Sequence, residues 1–105
     1  AVLAREMTEK QLSQSVIDMA RARGWLISRT PTWRPTGTSP GVPDLILVRK
    51  KGDSAEVFFV ELKSQRGKLT PEQELWQDWL LSATGTAIVW RPSDWLSGRI
   101  EEVLR

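Results

Sequence analysis

The chain has 105 residues, of which 40% are hydrophobic and 27% charged, and its formal net charge is +2. This length and composition predict one globular domain over residues 1–105, and the small positive charge permits a nucleic-acid partner without requiring one. The chain contains neither cysteine nor histidine. Disulfides, thiolate or imidazole metal sites and a histidine general base are therefore excluded, so any metal must be a hard cation bound by oxygen. No apolar run is long enough to span a membrane and no signal peptide is visible, so we expect an intracellular, cytoplasmic location.

The first predicted element is a helix that begins near Thr8. Thr8 and Gln11 match a capping box, apolar residues then recur at helical spacing, and Gly24 ends the pattern. A short strand is predicted at Trp25–Ser28. Residues 30–40 contain three prolines and no apolar period, which indicates a loop.

Two apolar runs rich in β-branched and aromatic residues come next, Leu45–Val48 and Val57–Lys63. Both have the composition of buried strands. The short polar connection around Gly52 favours an antiparallel hairpin.

A second helix is predicted from Thr70, which matches a capping box with Gln73 and has proline at the first helical position. Gly85 closes this helix. A strand at Thr86–Trp90 follows, and Ser93-Asp94 can cap one last helix that runs toward Leu104. The apolar stripe of the second helix comprises Leu75, Trp76, Trp79 and Leu80.

The resulting order is α-β-β-β-α-β-α, which predicts an α/β fold with a mixed central sheet flanked by helices. Four of the six tryptophans stand at apolar-period or strand positions and are expected in the core. These are Trp25, Trp76, Trp79 and Trp90.

Charged residues stand at the ends of the two apolar runs. Asp44 opens the first run, within Gly41-Val42-Pro43-Asp44-Leu45, whereas Glu61 and Lys63 end the second. Because strand side chains alternate faces, Glu61 and Lys63 point the same way. Burying two carboxylates and an ammonium is costly without a purpose, and the group suits a divalent metal and a phosphate.

These segments resemble the PD-(D/E)xK nuclease superfamily and, more narrowly, the VRR-Nuc family. The narrower resemblance adds Glu9, the segment from Lys68 to Gln73, and Trp90-Arg91-Pro92, and it covers nearly the whole chain. It implies a restriction-endonuclease-like α-β-β-β-α-β core. It also implies an endonuclease that acts on DNA with Mg²⁺ or Mn²⁺ and no other small-molecule cofactor, dimeric and selective for branched DNA such as four-way (Holliday) junctions. Stand-alone members of that family are often phage or bacterial proteins.

Phosphodiester hydrolysis needs an activated water, neutralisation of the transition-state charge and help for the leaving oxygen. Asp44 and Glu61 can ligate Mg²⁺ or Mn²⁺, with the Leu62 carbonyl as a further ligand. Lys63 can orient the attacking water, lower its pKa or neutralise the phosphate. Since the chain has no histidine, the metal and Lys63 must generate the nucleophile.

Glu9 and Gln73 each have two interpretations. Glu9 stands at helical spacing from Leu12 and Val16, on the apolar face, and the resemblance makes it a further metal or metal-water ligand. The alternative is a first-turn glutamate in solvent, favoured by the helix dipole. Gln73 either completes its capping box or faces the site from the second helix, where the family often has a glutamine.

The candidate DNA contacts are cationic residues, one aromatic residue and one glycine. Trp33 lies in the polar loop beside Arg34 and can stack on a base or pack loosely. Gly41 shapes its turn and can let a phosphate approach closely. Each cation has the alternative role of a solvated surface charge, and Arg66 and Lys68 rank first because they follow Lys63. The candidate phosphate contacts are Arg29, Arg34, Lys50, Lys51, Arg66, Lys68 and Arg91.

Two rival functions stay open. One is a non-catalytic DNA-binding or assembly module on a nuclease fold, which the complete set of Asp44, Glu61 and Lys63 disfavours. The other is a nuclease that acts on RNA or on simple duplex DNA. A homodimer is expected, through the second helix and the Trp33 loop.

Overall fold

The computed structural model describes residues 3–31, 37–84 and 86–105. Its elements confirm the predicted α/β order, with a mixed four-stranded sheet flanked by helices. After a 3₁₀ turn at Ala4–Glu6, the helices are α1 (Glu9–Ala22), α2 (Pro71–Thr84), α3 (Pro92–Leu96) and α4 (Arg99–Leu104). The strands are β1 (Leu26–Arg29), β2 (Leu45–Lys51), β3 (Ser54–Leu62) and β4 (Ala87–Trp90). None of the helices in the described ranges has the length and apolar character needed to cross a membrane.

Both long helices begin with the capping boxes that the sequence predicted. At α1, Thr8 Oγ1 accepts from the Gln11 amide at 3.1 Å, and the Thr8 amide donates to Gln11 Oε1 at 2.9 Å. Thr70 and Gln73 repeat the same two bonds at α2, again at 3.1 and 2.9 Å. Each pair satisfies backbone donors that a helix start leaves free, so these local sequences fix where the helices begin.

The strands lie in the order β1-β2-β3-β4. The first three are antiparallel, and β2 and β3 form the predicted hairpin, whose turn contains Gly52 with a φ of 62°. β4 pairs with β3 in parallel, after the α2 crossover. The register places Leu45 opposite Val60 and Glu61 opposite Val89, so the start of β2 and the end of β3 meet at one edge of the sheet.

The core lies on one face of this sheet. Leu45, Leu47 and Val60 point into it and are fully buried. α1 and α4 cover this face, and their contributions are Leu12, Val16, Ala20, Ile100 and Leu104. Strand alternation places Phe59 and Glu61 on the opposite face, which α2 approaches.

Two members of the apolar stripe of α2, Leu75 and Trp79, face outward, so the predicted core position of Trp79 is wrong. Trp79 is 67% exposed and Leu75 49% exposed. The residues that face inward are Gln77, which is buried, and Gln73, which bonds to Glu61. Because residues i and i+4 share a helix face, turning Gln73 and Gln77 toward the sheet rotates Leu75 and Trp79 toward solvent.

Trp25 and Trp90 are buried, as predicted. Trp76 is only half-buried, and its indole N–H donates to the Pro40 carbonyl at 3.0 Å. The prediction of a single last helix is also wrong. α3 and α4 are separated at Gly98, whose φ of 83° breaks helical geometry. Gly85, the predicted end of α2, lies outside the described residues.

Gly41, in the loop before β2, packs against the first turn of α2. Its φ is +87°, and a Cβ there would stand 2.6 Å from the Glu72 carbonyl carbon and 2.7 Å from the Gln73 nitrogen. No real side chain tolerates such contacts with backbone atoms. The absence of a side chain at Gly41 therefore lets the loop pack directly on the helix that carries Gln73.

Gly41→Ala should destabilise the protein more than Gly24→Ala. Both glycines have positive φ, but an added Cβ at Gly24 meets nothing within 4 Å. Gly24→Ala should therefore cost only the left-handed penalty of roughly 1–2 kcal/mol, and Gly41→Ala about 1–3 kcal/mol more from the clash. Urea unfolding of both variants measures this difference. Equal losses in the two variants would contradict the close approach of Gly41 to α2.

Candidate active site

Asp44 and Glu61 form a pair of carboxyl groups at the edge where β2 begins and β3 ends. Glu61 is only 3% exposed, and Asp44 is half-buried. Asp44 Oδ2 accepts from the Leu62 amide at 2.8 Å, which ties the residue before β2 to the last residue of β3. The two carboxyl groups are close enough to share a hydrogen bond when one of them is protonated.

Burial makes this pair difficult to ionise. Loss of water around Glu61, followed by repulsion from the Asp44 carboxylate, raises its pKa from 4.5 to about 8. Burial also raises the pKa of Asp44, although the Leu62 amide opposes the shift. At neutral pH the pair therefore retains a proton. Within the described residues no donor reaches the buried Glu61 Oε2, so the site has acceptor capacity that the chain leaves unused.

Gln73 fulfils both of its predicted roles. Its Oε1 accepts from the Thr70 amide as part of the capping box, and its Nε2 donates to Glu61 Oε1 at 2.9 Å. One amide thus fixes the start of α2 and the orientation of the buried carboxyl. Both alternatives considered from the sequence are present in the same side chain.

Lys63 lies directly beyond β3, beside the carboxyl pair. Its backbone amide donates to the Trp90 carbonyl at 3.1 Å, which prolongs the pairing with β4. Its positive charge lowers the pKa of both Asp44 and Glu61, in opposition to the dominant effect of burial. The Lys63 charge therefore acts on both carboxyls, and alternation along the strand predicts that Glu61 and Lys63 point the same way.

Glu9 stands near this pair but is directed elsewhere. It is exposed, so the expectation of a carboxylate on the buried face of α1 is wrong, and its Oε1 accepts from the Ser64 amide at 3.1 Å. Its charge still raises the pKa of Asp44 and Glu61. In the described part of the chain, no group of three or more acidic, histidine or cysteine side chains is arranged to hold a metal ion. The structure therefore brings together the carboxyl groups of Asp44 and Glu61, and Glu9 lies beside them.

A cleft of about 610 Å³ opens beside Asp44. Glu9, Asp44 and Gln73 line it, together with Arg29. Lys10 and Ser13 also line the cleft and were not among the residues predicted from the sequence. The feature of the sequence that could have identified them is their position relative to Glu9. Lys10 follows Glu9 directly, and Ser13 stands one helical turn after it.

The predicted DNA contacts divide by their distance from the cleft. Arg29 is exposed in the cleft wall, and Arg66 and Lys68 are exposed just after Lys63. Gly41 lines the cleft, but its close approach is to α2. Lys50 and Lys51 lie at the far end of β2, roughly 20 Å from Asp44 at the usual rise per residue. Trp33 and Arg34 lie outside the described residues.

Comparison with known proteins adds one match. A family model described as the VRR-NUC domain matches residues 5–93, a range that contains Asp44, Glu61, Lys63 and the whole sheet. No curated protein and no solved structure matches the chain.

The stability of the metal-free protein should fall as the pH rises from about 5 to 8. Because the pKa of Glu61 is raised from 4.5 to about 8, the folded state binds more protons than the unfolded state in this window. The stabilisation is complete below the unfolded pKa and is lost as the pH rises through the folded one. Glu61→Gln should flatten this dependence, whereas Glu102→Gln, at an exposed carboxylate on α4, should not. Melting temperatures in EDTA between pH 5 and 8 provide the measurement, and parallel slopes for wild type and Glu61→Gln would contradict it.

Proposed function

The chain belongs to the VRR-NUC domain family, and on that premise we propose that it is a divalent-metal-dependent endonuclease that hydrolyses phosphodiester bonds in DNA. A nuclease-type, DNA-processing function follows from the family itself. The observation that supports the finer proposal is the desolvated pair of Asp44 and Glu61, on which the Lys63 charge acts, with Asp44 in the wall of a cleft that is open to solvent.

The donor set fits Mg²⁺ or Mn²⁺. Hard divalent cations prefer oxygen ligands, and Asp44 and Glu61 offer two carboxylates that repel one another when no cation is present. The unpartnered Glu61 Oε2 is the type of buried acceptor that a cation would satisfy. Asp44 and Glu61 would hold the ion, and the Leu62 carbonyl stays a predicted ligand. When bound, the cation supplies a Lewis acid for the phosphate and lowers the pKa of a water.

The surrounding residues have separate tasks. Gln73 holds the Glu61 carboxyl in one orientation through its Nε2 bond. Lys63 places an ammonium beside the carboxyl pair, where it can donate to a phosphate oxygen and orient the attacking water. Glu9 contributes negative charge at the cleft margin, where it can bind a water of the hydrated cation.

We further propose that the active form is a homodimer that prefers branched DNA, including four-way junctions. One such site can cut one strand, and symmetric cuts on two strands need two sites in a fixed relation, which a two-fold dimer provides. Branched substrates present two strands of this kind.

The surface that favours a second copy is the outer face of α2. Leu75 and Trp79 are exposed there and line an apolar groove of about 520 Å³. Ser39 and Pro40 line both this groove and the active-site cleft, so a partner in the groove would adjoin the site. α2 carries three acidic residues and no basic one, which disfavours a nucleic acid on this face.

An intracellular location remains our expectation from the cysteine-free composition.

A cleavage panel tests the proposed function. The substrates are labelled duplex, single-stranded, flap and four-way-junction DNA, with matched RNA strands, each in Mg²⁺, Mn²⁺, Ca²⁺ or EDTA. We expect cleavage in Mg²⁺ and Mn²⁺, fastest on the junction, and binding without efficient turnover in Ca²⁺, which is larger and less strictly octahedral. Undiminished cleavage in EDTA would refute the metal requirement. DNA binding without cleavage would favour the non-catalytic module. Faster cleavage of RNA than of DNA would identify RNA as the substrate in place of DNA.

Lys63→Ala and Asp44→Asn should separate catalysis from metal binding. Lys63→Ala removes a positioned catalytic group and should lower turnover by about 10²–10⁴-fold while it leaves Mn²⁺ affinity nearly unchanged. Asp44→Asn should weaken Mn²⁺ binding as well. Calorimetry with Mn²⁺ on both variants, together with single-turnover cleavage rates, decides between these roles. Equal losses of Mn²⁺ affinity would show that the assigned roles are wrong.

Leu75→Glu should convert the dimer to a monomer, because it adds like charge to two acidic helices, whereas Leu81→Glu should not. The two leucines stand on the same helix and are 49% and 50% exposed, but only Leu75 lines the groove. Light scattering at micromolar concentration gives the masses. Because both copies present acidic α2 helices, added salt should strengthen the dimer while it weakens DNA binding. A monomeric wild-type protein that still cuts junctions symmetrically would refute the dimer and its purpose.

A further inference from the structure

A tight turn, Ser64–Gly67, directly follows Lys63. The Gly67 amide donates to the Ser64 carbonyl at 3.3 Å and closes the turn. Arg66 is exposed within the turn, and Lys68 is exposed immediately after it. The turn therefore presents two cations to solvent beside the carboxyl pair.

The inward side of this turn is held by Arg91, at the junction of β4 and α3. Arg91 Nη1 donates to the Ser64 carbonyl at 2.7 Å and to the Gly67 carbonyl at 2.6 Å, with a longer contact of 3.4 Å to the Gln65 carbonyl. Hydrogen bonds from a charged donor are roughly twice as strong as those between neutral groups. One guanidinium group thus binds both ends of the turn.

Two further contacts hold the same turn. The Ser64 amide donates to Glu9 Oε1 at 3.1 Å. Glu9 thus binds the backbone amide of Ser64, and Arg91 binds its carbonyl. The Ser93 amide donates to Gln65 Oε1 at 2.9 Å, which directs the Gln65 side chain inward. α1, β4 and α3 therefore all contact the turn, and Arg66 is left facing outward.

We propose that Arg91 is a positioning residue that holds the Ser64–Gly67 turn, so that Arg66 and Lys68 meet the phosphate backbone of DNA. Arg91 does not contact DNA itself, in contrast to the role that the sequence suggested for it. Its guanidinium is half-buried and directed at backbone carbonyls. This proposal rests on the proposed function for its DNA substrate, but the holding of the turn does not depend on that function.

The physical reason is preorganisation. Cations on a mobile loop must lose conformational freedom when they bind phosphate, whereas cations on a turn that is already ordered do not. Lys63 is affected less, because its own backbone is paired with Trp90. Loss of Arg91 should therefore weaken DNA binding and raise KM about 10-fold, with kcat within about 3-fold of wild type.

The experiment uses Arg91→Met, with Arg66→Met as the matched control that also removes one positive charge. Amide exchange at Ser64 and Gly67, measured by NMR on the metal-free protein, reports the order of the turn. Arg91→Met should accelerate exchange at both amides by about 10-fold or more and leave the β2–β3 hairpin unchanged, whereas Arg66→Met should change neither. Arg91→Gln, which removes the charge and is too short to keep the same contacts, serves as the second variant if Arg91→Met folds poorly. Unchanged exchange in a folded Arg91 variant would overturn the proposal.

DNA affinity for a labelled four-way junction in Ca²⁺ supplies the second measurement. Arg66→Met should reduce the slope of log affinity against log salt concentration by the amount that corresponds to about one phosphate contact. If Arg91 acts through the turn, the double variant should bind only slightly more weakly than the weaker single variant. Additive losses, with an independent reduction of the salt slope in Arg91→Met, would mean that Arg91 contacts phosphate and would overturn the proposal. If wild-type protein does not bind DNA, the proposed function fails, and the exchange result still decides whether Arg91 holds the turn.

Discussion

The desolvation of two carboxyl groups is the constraint around which this fold is organised. The β2–β3 hairpin brings Asp44 and Glu61 together at one edge of the sheet, where burial raises the pKa of Glu61 to about 8. A buried pair of this kind destabilises the folded protein when both members ionise. Its presence is physically reasonable where a cation or a reaction uses it, which is the arrangement expected at a catalytic site.

Other elements hold this edge from several directions. α2 brings Gln73 to Glu61, and the bare backbone of Gly41 lets the preceding loop pack on the same helix. On the other side, Arg91 and Glu9 hold the turn that follows Lys63. The site thus depends on contacts between segments that are distant in sequence, and the same orientation of α2 that serves Glu61 leaves Leu75 and Trp79 exposed.

Local rules predicted the parts of this structure that are determined locally. Capping boxes at Thr8 and Thr70, and the polar hairpin turn, marked where elements begin and end. Strand alternation placed Lys63 beside Glu61. The rotation of α2 was not predictable from hydrophobic spacing, because two glutamines face the sheet and two members of the apolar stripe face outward. The role of Arg91 was equally invisible, since its partners are backbone carbonyls about 25 residues away, which carry no sequence signal.

The most direct test of the central claim is the proton count that accompanies Mn²⁺ binding at pH 7. Calorimetry in buffers of different ionisation enthalpy measures this count. If Asp44 and Glu61 share a proton that a cation displaces, wild-type protein should release about one proton per bound Mn²⁺, and Glu61→Gln should release none. Tight binding by wild-type protein without proton release, or the same release from Glu61→Gln, would contradict the assignment of the carboxyl pair as the metal site.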